Sequence, residues 1–448
     1  MSWLVVQGQS GSGSGLRGCV GVPGDKSISH RALMLGALAD GTSRVEDFLP
    51  SGDCLATLDC LRQLGIRVGH PNSGASTTLL VHGQGLRGLR PSQEDLSCQR
   101  SGTTMRLMAG ILAGQAFDST LTGEAQLLRR PMRRITAPLR EMGAAIEDVD
   151  GHGPLRIRGR QQLHGAEHRL RVASAQVKSA ILLAGLYADG PVIVHQPGPA
   201  RDHTERMLAA QIESMSDDTL TYDEEVILLD PEGIERLRPV DRIVPGDFSS
   251  AAFLLTTGLL APSSEITLLG VGVNPTRIGL LEVFTAMGAD LTVENRRDQG
   301  GEPVADVTVK TSFLGGTEVK GGTVVRMIDE FPILAVAATQ AEGSTVVREA
   351  EELRVKETDR IEMVAVELRK LGARIETQPD GFVVEGPVGL EGAEVDSHGD
   401  HRLGMALAVA GLIARGETRV QGATCIADSF PDFVETMDLL GADIRYGL

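Results

Sequence analysis

The sequence predicts an α/β (α+β) protein built from six similar repeats that are divided between two domains. Two observations carry this prediction. Polar clusters recur at intervals of roughly 70 to 80 residues, and each precedes a run of small and apolar residues typical of a buried helix. Each run leads to a strand and then to a second helix that ends in a Leu-Gly or Met-Gly turn. The clusters begin at Gly24, Ser101, Ser174, Gly246, Ile328 and Gly399.

The first repeat shows the pattern most clearly. Residues Ser27 to Ala39 predict a buried helix, and Ser43 to Phe48 alternate as a strand does. Asp53 to Gly65 predict an amphipathic helix, since one face carries Leu55, Leu58, Leu61 and Leu64. The second helix recurs at Met132–Gly143, Pro275–Gly288, Glu357–Gly372 and Asp432–Gly441. The third repeat is irregular, because no glycine ends its predicted helix at Asp202–Met215.

Two nearly identical tetrapeptides mark the predicted domain boundaries. They are Val22-Pro23-Gly24-Asp25 and Val244-Pro245-Gly246-Asp247. If the chain crosses between domains at both, the first strand joins the C-terminal half. Domain A then comprises residues 1–24 and 246–448, domain B comprises residues 25–245, and each holds three repeats. Residues 1–15, with the Gly/Ser-rich run from Gly8 to Gly15, are expected to form a flexible leader.

Composition excludes several classes of protein. A net charge of −17 over 448 residues argues against a nucleic-acid-binding surface, and 3% aromatic residues argue against base stacking. No uncharged apolar run is long enough to span a bilayer. The five cysteines show no paired spacing, so we expect reduced thiols in a cytoplasmic protein.

Basic residues recur beside the predicted helix starts. Free backbone N–H groups and the helix dipole favour anions there, and arginine can bind two oxygens of a carboxylate or phosphate. These positions predict a receptor for an anionic ligand, although solvated surface charges and structural ion pairs, such as Glu357 with Arg360, remain alternatives. The residues are Lys26, Arg130, Arg201, Lys356, Arg360 and Arg402.

Two acids lie inside these basic clusters. Asp329 and Glu357 are candidates for proton transfer, because a carboxylate among cations can act as a general acid or base. The alternative for each is a helix cap or a charge partner for a neighbouring arginine. Their spacing alone does not decide between these roles.

Other motifs carry less weight. Gly83–Gly88 matches GxGxxG, but Pro91 and a polar stretch follow where a dinucleotide site needs a helix. His164 with His168, and His398 with His401, have spacings compatible with metal binding, yet no third ligand joins either pair. We therefore expect a surface role for the first histidine pair and a place in an anion site for the second.

Nine segments together resemble the 5-enolpyruvylshikimate-3-phosphate synthase (3-phosphoshikimate 1-carboxyvinyltransferase) family, and they run in order over nearly the whole chain. They are PGDKSISHRAL, SGTTMR, GEAQLLRRP, SAQVKSAILLAGL, RDHTE, IDEFPILAVAA, LRVKETDRI, GDHRLGMAL and SFPDF. The resemblance implies a two-domain inside-out α/β barrel of six βαββαβ repeats, pseudo-three-fold in each domain, with the active site in the interdomain cleft.

The family transfers the enolpyruvyl group of phosphoenolpyruvate to the 5-hydroxyl of shikimate 3-phosphate, in the chorismate branch of aromatic amino acid biosynthesis. Inorganic phosphate leaves after addition to a tetrahedral intermediate and elimination. The resemblance implies that these small molecules are the partners, that neither a metal nor an organic cofactor is used, and that neither nucleic acid nor membrane is bound. It also makes the herbicide glyphosate a possible inhibitor. We expect a monomer.

The matching motifs imply site residues in this chain. The group expected to hold shikimate 3-phosphate is Lys26, Ser27, Arg31, Ser174, Ala175, Gln176, Arg201, Asp329 and Lys356. The group expected to hold phosphoenolpyruvate is Lys26, Gly102, Arg130, Gln176, Arg360 and Arg402. The implied catalytic residues are Asp329, which takes the 5-hydroxyl proton, and Glu357, which protonates the methylene carbon with Lys26 as its rival.

Two positions depart from the family pattern. Arg100 stands where asparagine is common, and Asp428 stands where one branch has lysine. Both are candidate selectivity residues. Gly102 is the residue of glyphosate-sensitive members, whereas SAQVKSA with RDHTE resembles a bacterial branch that includes tolerant members, so both glyphosate sensitivity and tolerance stay open. Two other functions stay open: a UDP-N-acetylglucosamine enolpyruvyl transferase, and a catalytically inactive anion-binding homologue.

Overall fold

A computed structural model describes residues 3–8, 15–71, 77–214 and 217–447. The helices, in chain order, are α1 Lys26–Leu38, α2 Gly52–Gln63, α3 Gly102–Ala113, α4 Ala125–Leu128, α5 Arg133–Glu141, α6 Ala175–Gly185, α7 His203–Gln211, α8 Phe248–Leu260, α9 Gly279–Ala286, α10 Gly322–Arg326, α11 Phe331–Ala338, α12 Arg360–Lys370, α13 His401–Ile413 and α14 Phe433–Leu439. Short 3₁₀ helices lie at Asp217–Thr219, Glu351–Val355 and Ala423–Asp428.

The strands, in chain order, are β1 Trp3–Gln7, β2 Arg17–Gly21, β3 Thr42–Glu46, β4 Arg67–Gly69, β5 Leu79–His82, β6 Leu96–Ser97, β7 Ser119–Thr122, β8 Ala145–Val149, β9 His152–Arg158, β10 Glu167–Arg169, β11 Val192–His195, β12 Ile212–Ser214, β13 Leu220–Tyr222, β14 Val226–Leu229, β15 Ile234–Leu237, β16 Arg242–Ile243, β17 Glu265–Gly272, β18 Asp290–Gln299, β19 Glu302–Lys310, β20 Glu318–Val319, β21 Gly343–Val347, β22 Arg374–Gln378, β23 Gly381–Gly386, β24 Glu394–Asp396, β25 Glu417–Gln421 and β26 Ile444–Gly447.

The chain folds into two compact units, each with its own hydrophobic core. Unit 1 comprises Met1–Pro23, Pro245–Asp298 and Pro303–Leu448. Unit 2 comprises Gly24–Val244 and the short segment Gln299–Glu302. The chain passes between units inside the two Val-Pro-Gly-Asp tetrapeptides, whereas the assignment of Gln299–Glu302 to unit 2 differs from the predicted boundaries.

Six four-stranded sheets repeat one strand order in the described residues, three in each unit. In one of them β6 lies parallel to β7, β7 pairs antiparallel with β9, and β9 pairs antiparallel with β8. The predicted fold class is therefore confirmed. The element order within a repeat is βαβαββ rather than βαββαβ. A parallel pair requires a crossover helix between its strands, whereas the last two strands form a hairpin.

The first helix of each repeat is buried on nearly every side, as its small and apolar residues predict. Several of these helices begin at a side-chain cap: Asp25, Ser101, Asp247 and Asp400 accept bonds from backbone N–H groups of the first turn. The helix starts are thereby fixed in place, and they are where the basic clusters of the sequence lie.

Some local predictions were wrong. The third-repeat helix α7 ends at Gln211, because Ile212–Ser214 pairs as a strand with β15; Met215 lies outside the described residues. In α2, Leu58, Leu61 and Leu64 are buried, but the Leu55 side chain is 38% exposed. No helix opens at Gly83–Gly88, where β5 is followed by turns, as the sequence predicted.

The N-terminal segment is not simply a leader. Strand β1 lies in the interior of a sheet, where it pairs antiparallel with β25 on one side and β26 on the other. Leu4 and Val6 are fully buried in the core of unit 1. The prediction failed because only four apolar residues precede the Gly/Ser-rich run. Residues 9–14 of the predicted leader lie outside the described residues.

Two general features of the described residues concern membrane-spanning helices and the state of the cysteines. Searching the described residues for a helix long and apolar enough to cross a membrane finds none. All five cysteines are free, and four of them are buried, Cys19 being the exposed one.

Shortening Leu4 tests whether β1 belongs to the core of unit 1. Leu4→Ala should lower the free energy of unfolding by about 2–5 kcal/mol, because it opens a cavity in a packed interior. Urea denaturation followed by circular dichroism measures the change. Val5→Ala is the matched control, since Val5 is only partly buried on the opposite face of the strand. An equal effect of both variants would contradict this placement.

Candidate active site

Lys26 and Asp53 form an ion pair at the start of two helices of unit 2. Lys26 is the first residue of α1, and its Nζ lies 2.7 Å from Asp53 Oδ2 in the first turn of α2. Both side chains keep about a sixth of their surface exposed, at 16% and 17%. The Lys26 ammonium is therefore oriented by a carboxylate and still open to a ligand.

A second group surrounds the start of α3. A methyl group added to Gly102 would lie 3.0 Å from Arg130 Nη1 and 3.4 Å from Arg106 Nη1. Arg106 donates to Gln176 Oε1, and Gln176 Nε2 donates to Thr103 Oγ1 at 2.9 Å. The absence of a side chain at Gly102 lets two guanidinium groups approach the start of the helix, where N–H groups also favour an anion.

Arg31 is a buried cation that makes no ion pair with a described residue. Its Nε donates to Thr204 Oγ1 at 2.6 Å, its Nη2 to Ser179 Oγ at 2.7 Å, and its Nη1 to the Ser27 carbonyl at 3.0 Å. Burial lowers the pKa of Arg31 to about 10, and the nearby Glu205 carboxylate partly offsets that effect. Arg31 stays charged at neutral pH and is held by neutral oxygens.

The start of α6 is open to a ligand. Ser174 precedes the helix without a side-chain cap bond, and Ala175 and Gln176 are its first two residues. All three are partly exposed. Arg201 lies before α7, close enough to Arg31 to lower the pKa of that group. The predicted Ser174, Ala175 and Arg201 therefore lie at helix starts of the same unit.

In unit 1, Arg360 is the centre of a cluster of carboxylates. Its Nε and Nη2 lie 2.8 and 3.2 Å from the Asp400 carboxylate, and its Nη2 lies 2.7 Å from Glu357 Oε2. Asp329 Oδ1 lies 3.4 Å from its Nη1. Burial alone would lower the pKa of Arg360, but Asp400 and Glu357 outweigh burial and raise it above its ordinary value.

Arg402 continues this cluster towards α11. Its Nη2 lies 3.6 Å from Asp329 Oδ2, and its Nη1 lies 4.0 Å from Glu330 Oε1. Glu330 in turn accepts a bond from Ser249 at the start of α8. Asp329 thus lies between two arginines, with 15% of its side chain exposed, so that it combines ion pairing with access for a reacting group.

Lys356 is placed differently from its neighbours. The predicted helix began at Glu357, but α12 begins only at Arg360, and Lys356 immediately follows the 3₁₀ helix Glu351–Val355. Burial lowers the pKa of Lys356 to about 8, although the Asp329 and Glu352 carboxylates oppose that shift. In mildly alkaline solution, Lys356 is therefore neutral in a fraction of the protein molecules.

The two departures from the family pattern lie beside these groups. Arg100 immediately precedes the Ser101 cap of α3, and its Nε and Nη2 donate to Gln126 Oε1 at 3.2 and 3.1 Å. Asp428 ends a 3₁₀ helix that packs against α13, the helix that carries Arg402 near its start. The hydrogen bonds to Gln126 hold the Arg100 side chain in place, and the sequence alone did not predict them.

Sequence reasoning missed several residues that hold the predicted ones. Asp53 pairs with Lys26, Asp400 with Arg360, and Arg106 with Gln176. Lys178 Nζ and Glu205 Oε1 form a fully buried pair at 2.6 Å between α6 and α7. Arg106, Lys178 and Asp400 stand in the polar clusters, so position gave a signal for them, whereas Asp53 had none beyond its place in a helix start.

Unit 2 has the chemistry of an anion receptor, and unit 1 has groups suited to proton transfer. In unit 2, cations and helix starts favour phosphate or carboxylate oxygens, and in unit 1, carboxylates lie among arginines. In the described residues, no three His, Cys, Asp or Glu side chains lie close enough together to hold a metal ion. His164 and His168 contact separate carboxylates, those of Asp189 and Glu141.

Comparison with known proteins finds that the sequence matches one protein family. Residues 11–437 match the sequence profile of EPSP synthase (3-phosphoshikimate 1-carboxyvinyltransferase). The 3-phosphoshikimate 1-carboxyvinyltransferase of Herpetosiphon aurantiacus is 50% identical over 420 residues, covering 93% of this chain and 95% of the relative. That of Geobacillus kaustophilus is 51% identical over 428 residues, covering 94% and 96%.

Solved structures agree with these relatives. An EPSP synthase from Acinetobacter baumannii superposes with a TM-score of 0.86 at 42% identity and covers 100% of both chains. The enolpyruvyl transferase NikO from Streptomyces tendae shares the fold, with a TM-score of 0.77 at 21% identity, covering 100% of this chain and 99% of NikO. The resemblance found in the sequence motifs is confirmed, and the chain belongs to the EPSP synthase (3-phosphoshikimate 1-carboxyvinyltransferase) family.

Proposed function

We propose that this protein transfers the enolpyruvyl group of phosphoenolpyruvate to the 5-hydroxyl of shikimate 3-phosphate and releases inorganic phosphate. Both substrates carry a phosphate and a carboxylate, so a site for them needs several fixed cations and a group that accepts a proton. The observation that carries the proposal is Asp329 held between Arg360 and Arg402, while unit 2 gathers cations at its helix starts.

Unit 2 is proposed to hold the phosphates and the shikimate carboxylate. Arg31 and Ser27 would bind that carboxylate, because Arg31 is charged, buried and held by neutral oxygens. Ser174, Ala175 and Arg201 would bind the 3-phosphate, with Gln176 beside the ring. Lys26, Gly102 and Arg130 would bind the phosphate of phosphoenolpyruvate. Lys26, Arg31 and Gln176 are oriented by bonds within the protein before substrate arrives, which reduces the free-energy cost of arranging charges in the transition state.

Unit 1 is proposed to supply the proton chemistry. Asp329 takes the proton of the 5-hydroxyl while the hydroxyl oxygen attacks C2 of phosphoenolpyruvate. Glu357 protonates C3, which becomes a methyl group, and Lys26 is the alternative proton donor. Loss of phosphate from the tetrahedral intermediate and removal of a methyl proton then restore the double bond. Arg360 and Arg402 would hold the carboxylate of phosphoenolpyruvate, and Lys356 with Asp329 would contact the ring hydroxyls.

Further details stay proposals of the same kind. We propose a cytoplasmic location, where the five free thiols stay reduced. A monomeric state and inhibition by glyphosate are predictions carried over from the sequence. The alternative of UDP-N-acetylglucosamine transfer is disfavoured by the relatives of about 50% identity, which bear the 3-phosphoshikimate name. The alternative of a catalytically inactive homologue is tested by the assay of phosphate release.

The function is tested by following inorganic phosphate release from shikimate 3-phosphate and phosphoenolpyruvate, with each substrate omitted in turn. Release that needs both substrates, together with the enolpyruvyl product seen by mass spectrometry, is the expected result. A folded protein that releases no phosphate from the pair would refute the proposal and favour an inactive homologue. Release from phosphoenolpyruvate alone would indicate a phosphatase.

Replacing Asp329 tests the proposed base. Asp329→Ala should lower kcat by about 10²-fold or more, because a positioned proton acceptor contributes that much, while shikimate 3-phosphate still binds. Stopped assays measure turnover, and calorimetry measures binding. Asp298→Ala serves as a control for loss of one carboxylate elsewhere on the chain. A fully active Asp329 variant would remove the residue from the mechanism.

The pH profile tests Lys356. With a pKa near 8, the ammonium group is charged below that pH and loses its proton above it, so a contact that needs the charge weakens as pH rises. We expect kcat/KM for shikimate 3-phosphate to fall above pH about 8, the pKa of this group. Lys356→Arg should remove that fall, since arginine stays protonated. An unchanged alkaline limb in this variant would assign it to another group, and Lys310→Arg is the control.

Substitution of Arg100 tests its proposed role in selectivity. Arg100→Asn removes a cation beside the α3 start, so the KM for phosphoenolpyruvate should rise about two- to fivefold, the range for a partly exposed charge. The inhibition constant for glyphosate should change by a different factor. Arg129→Asn, a neighbouring exposed arginine, is the control. If both constants stay unchanged in the Arg100 variant, Arg100 does not affect selectivity.

A further inference from the structure

A chain of buried side chains links three helices of unit 2 behind the proposed phosphate site. His30 Nδ1 lies 2.7 Å from Thr57 Oγ1, Thr57 Oγ1 lies 2.7 Å from Thr104 Oγ1, and Thr104 Oγ1 donates to Ser101 Oγ at 2.7 Å. All four side chains are fully buried. The chain thus runs from α1 through α2 to the cap of α3 without contact with solvent.

The first two links form a ladder between α1 and α2. Lys26 and His30 are four residues apart on α1, and Asp53 and Thr57 are four residues apart on α2. Residues at that spacing share a helix face. The Lys26–Asp53 ion pair is therefore one rung, and the His30–Thr57 hydrogen bond is a second rung one helical turn deeper.

The two rungs differ in environment. The ion pair is partly exposed, and a pair of that kind is weakened by water and salt. The inner rung is dry and uncharged, because burial lowers the pKa of His30 to about 3 and the ring stays neutral at working pH. A neutral, buried hydrogen bond is not screened by salt, so the inner rung keeps its strength where the ion pair is weakened.

The third helix is tied to the same ladder. Thr104 bonds to Thr57, and both its backbone N–H and its hydroxyl donate to Ser101 Oγ, the cap of α3. Its hydroxyl also lies 3.4 Å from the carbonyl oxygen of Asp53. Gly102, with the Arg130 guanidinium against it, immediately follows Ser101. The chain therefore sets the position of the α3 start relative to Asp53 and, through it, Lys26.

We propose that the His30–Thr57–Thr104–Ser101 chain is a positioning device that holds the Lys26 ammonium in register with the start of α3 for binding of the phosphoenolpyruvate phosphate. None of its members needs to touch substrate. The inference rests on the proposed roles of Lys26 and Gly102. It assigns to Thr57 the central position, since its single hydroxyl joins the histidine of α1 to the threonine of α3.

Thr57→Val tests the chain, because valine keeps nearly the same volume and removes the hydroxyl. The KM for phosphoenolpyruvate should rise about tenfold, because the two buried hydrogen bonds of this hydroxyl are lost, while the KM for shikimate 3-phosphate changes by less than about twofold. Thr57→Ser restores the hydroxyl and should return the KM to near the original value. In the Thr57→Val/Thr104→Val double variant, the rise should be smaller than the product of the two single effects.

Two controls separate positioning from loss of stability. Leu61→Ala removes a fully buried side chain one turn further along α2 and leaves both rungs intact. Thr345→Val removes a buried hydroxyl that has no hydrogen-bond partner among the described residues of unit 1. Both should leave the KM for phosphoenolpyruvate within about twofold, even where the melting temperature falls.

Calorimetry with phosphoenolpyruvate in the presence of 5-deoxyshikimate 3-phosphate, which lacks the acceptor hydroxyl, gives the same comparison without turnover. If the unaltered protein binds phosphoenolpyruvate but does not turn over, the proposed function fails and the positioning role is still measured by binding. An unchanged affinity in Thr57→Val, no rescue by Thr57→Ser, or an equal loss in Leu61→Ala would each overturn the positioning role. Failure of the unaltered protein to bind phosphoenolpyruvate would overturn both proposals.

Discussion

Aspartate and serine caps lie at the same helix starts as lysines and arginines. The balance between the negative charge of the caps and the positive charge of the basic residues is the constraint on which anion binding depends. A cap accepts hydrogen bonds from the free N–H groups of the first helical turn. An aspartate cap also brings a negative charge to the place where an anion should bind. Asp247 and Asp400 are such caps in unit 1, and each is bonded to a buried arginine, Arg277 or Arg360. The arginine offsets the charge of the cap and is itself held rigidly by it.

The two units resolve this balance in different ways. In unit 2, α1 is capped by Asp25, but α3 is capped by the neutral Ser101, and α6 has no side-chain cap. Arg31 is held by neutral oxygens, so its positive charge is left for a phosphate or carboxylate group. In unit 1, carboxylates surround Arg360, so this part of the chain is suited to proton transfer more than to phosphate binding.

Repetition along the sequence made much of this predictable. Because every repeat begins its first helix after a polar cluster, the sequence located the starts of these helices and with them Lys26 and Arg402. The partners of those residues were harder to find, since Asp53 and Lys26, or Arg277 and Asp247, are about 30 residues apart and meet only through packing of helices and loops. Strand β1 was missed for a similar reason, because its neighbours β25 and β26 lie more than 400 residues away along the chain.

The division of charge between the units is tested most directly by the affinity gained from the 3-phosphate. Calorimetry gives the ratio of the dissociation constants of shikimate and shikimate 3-phosphate for the unaltered protein and for Arg201→Gln and Lys356→Met. The ratio should fall about 10- to 100-fold in the Arg201 variant, the worth of a charge-assisted hydrogen bond, and stay the same in the Lys356 variant. An equal fall in both variants, or no fall in the Arg201 variant, would contradict the assignment of phosphate binding to unit 2.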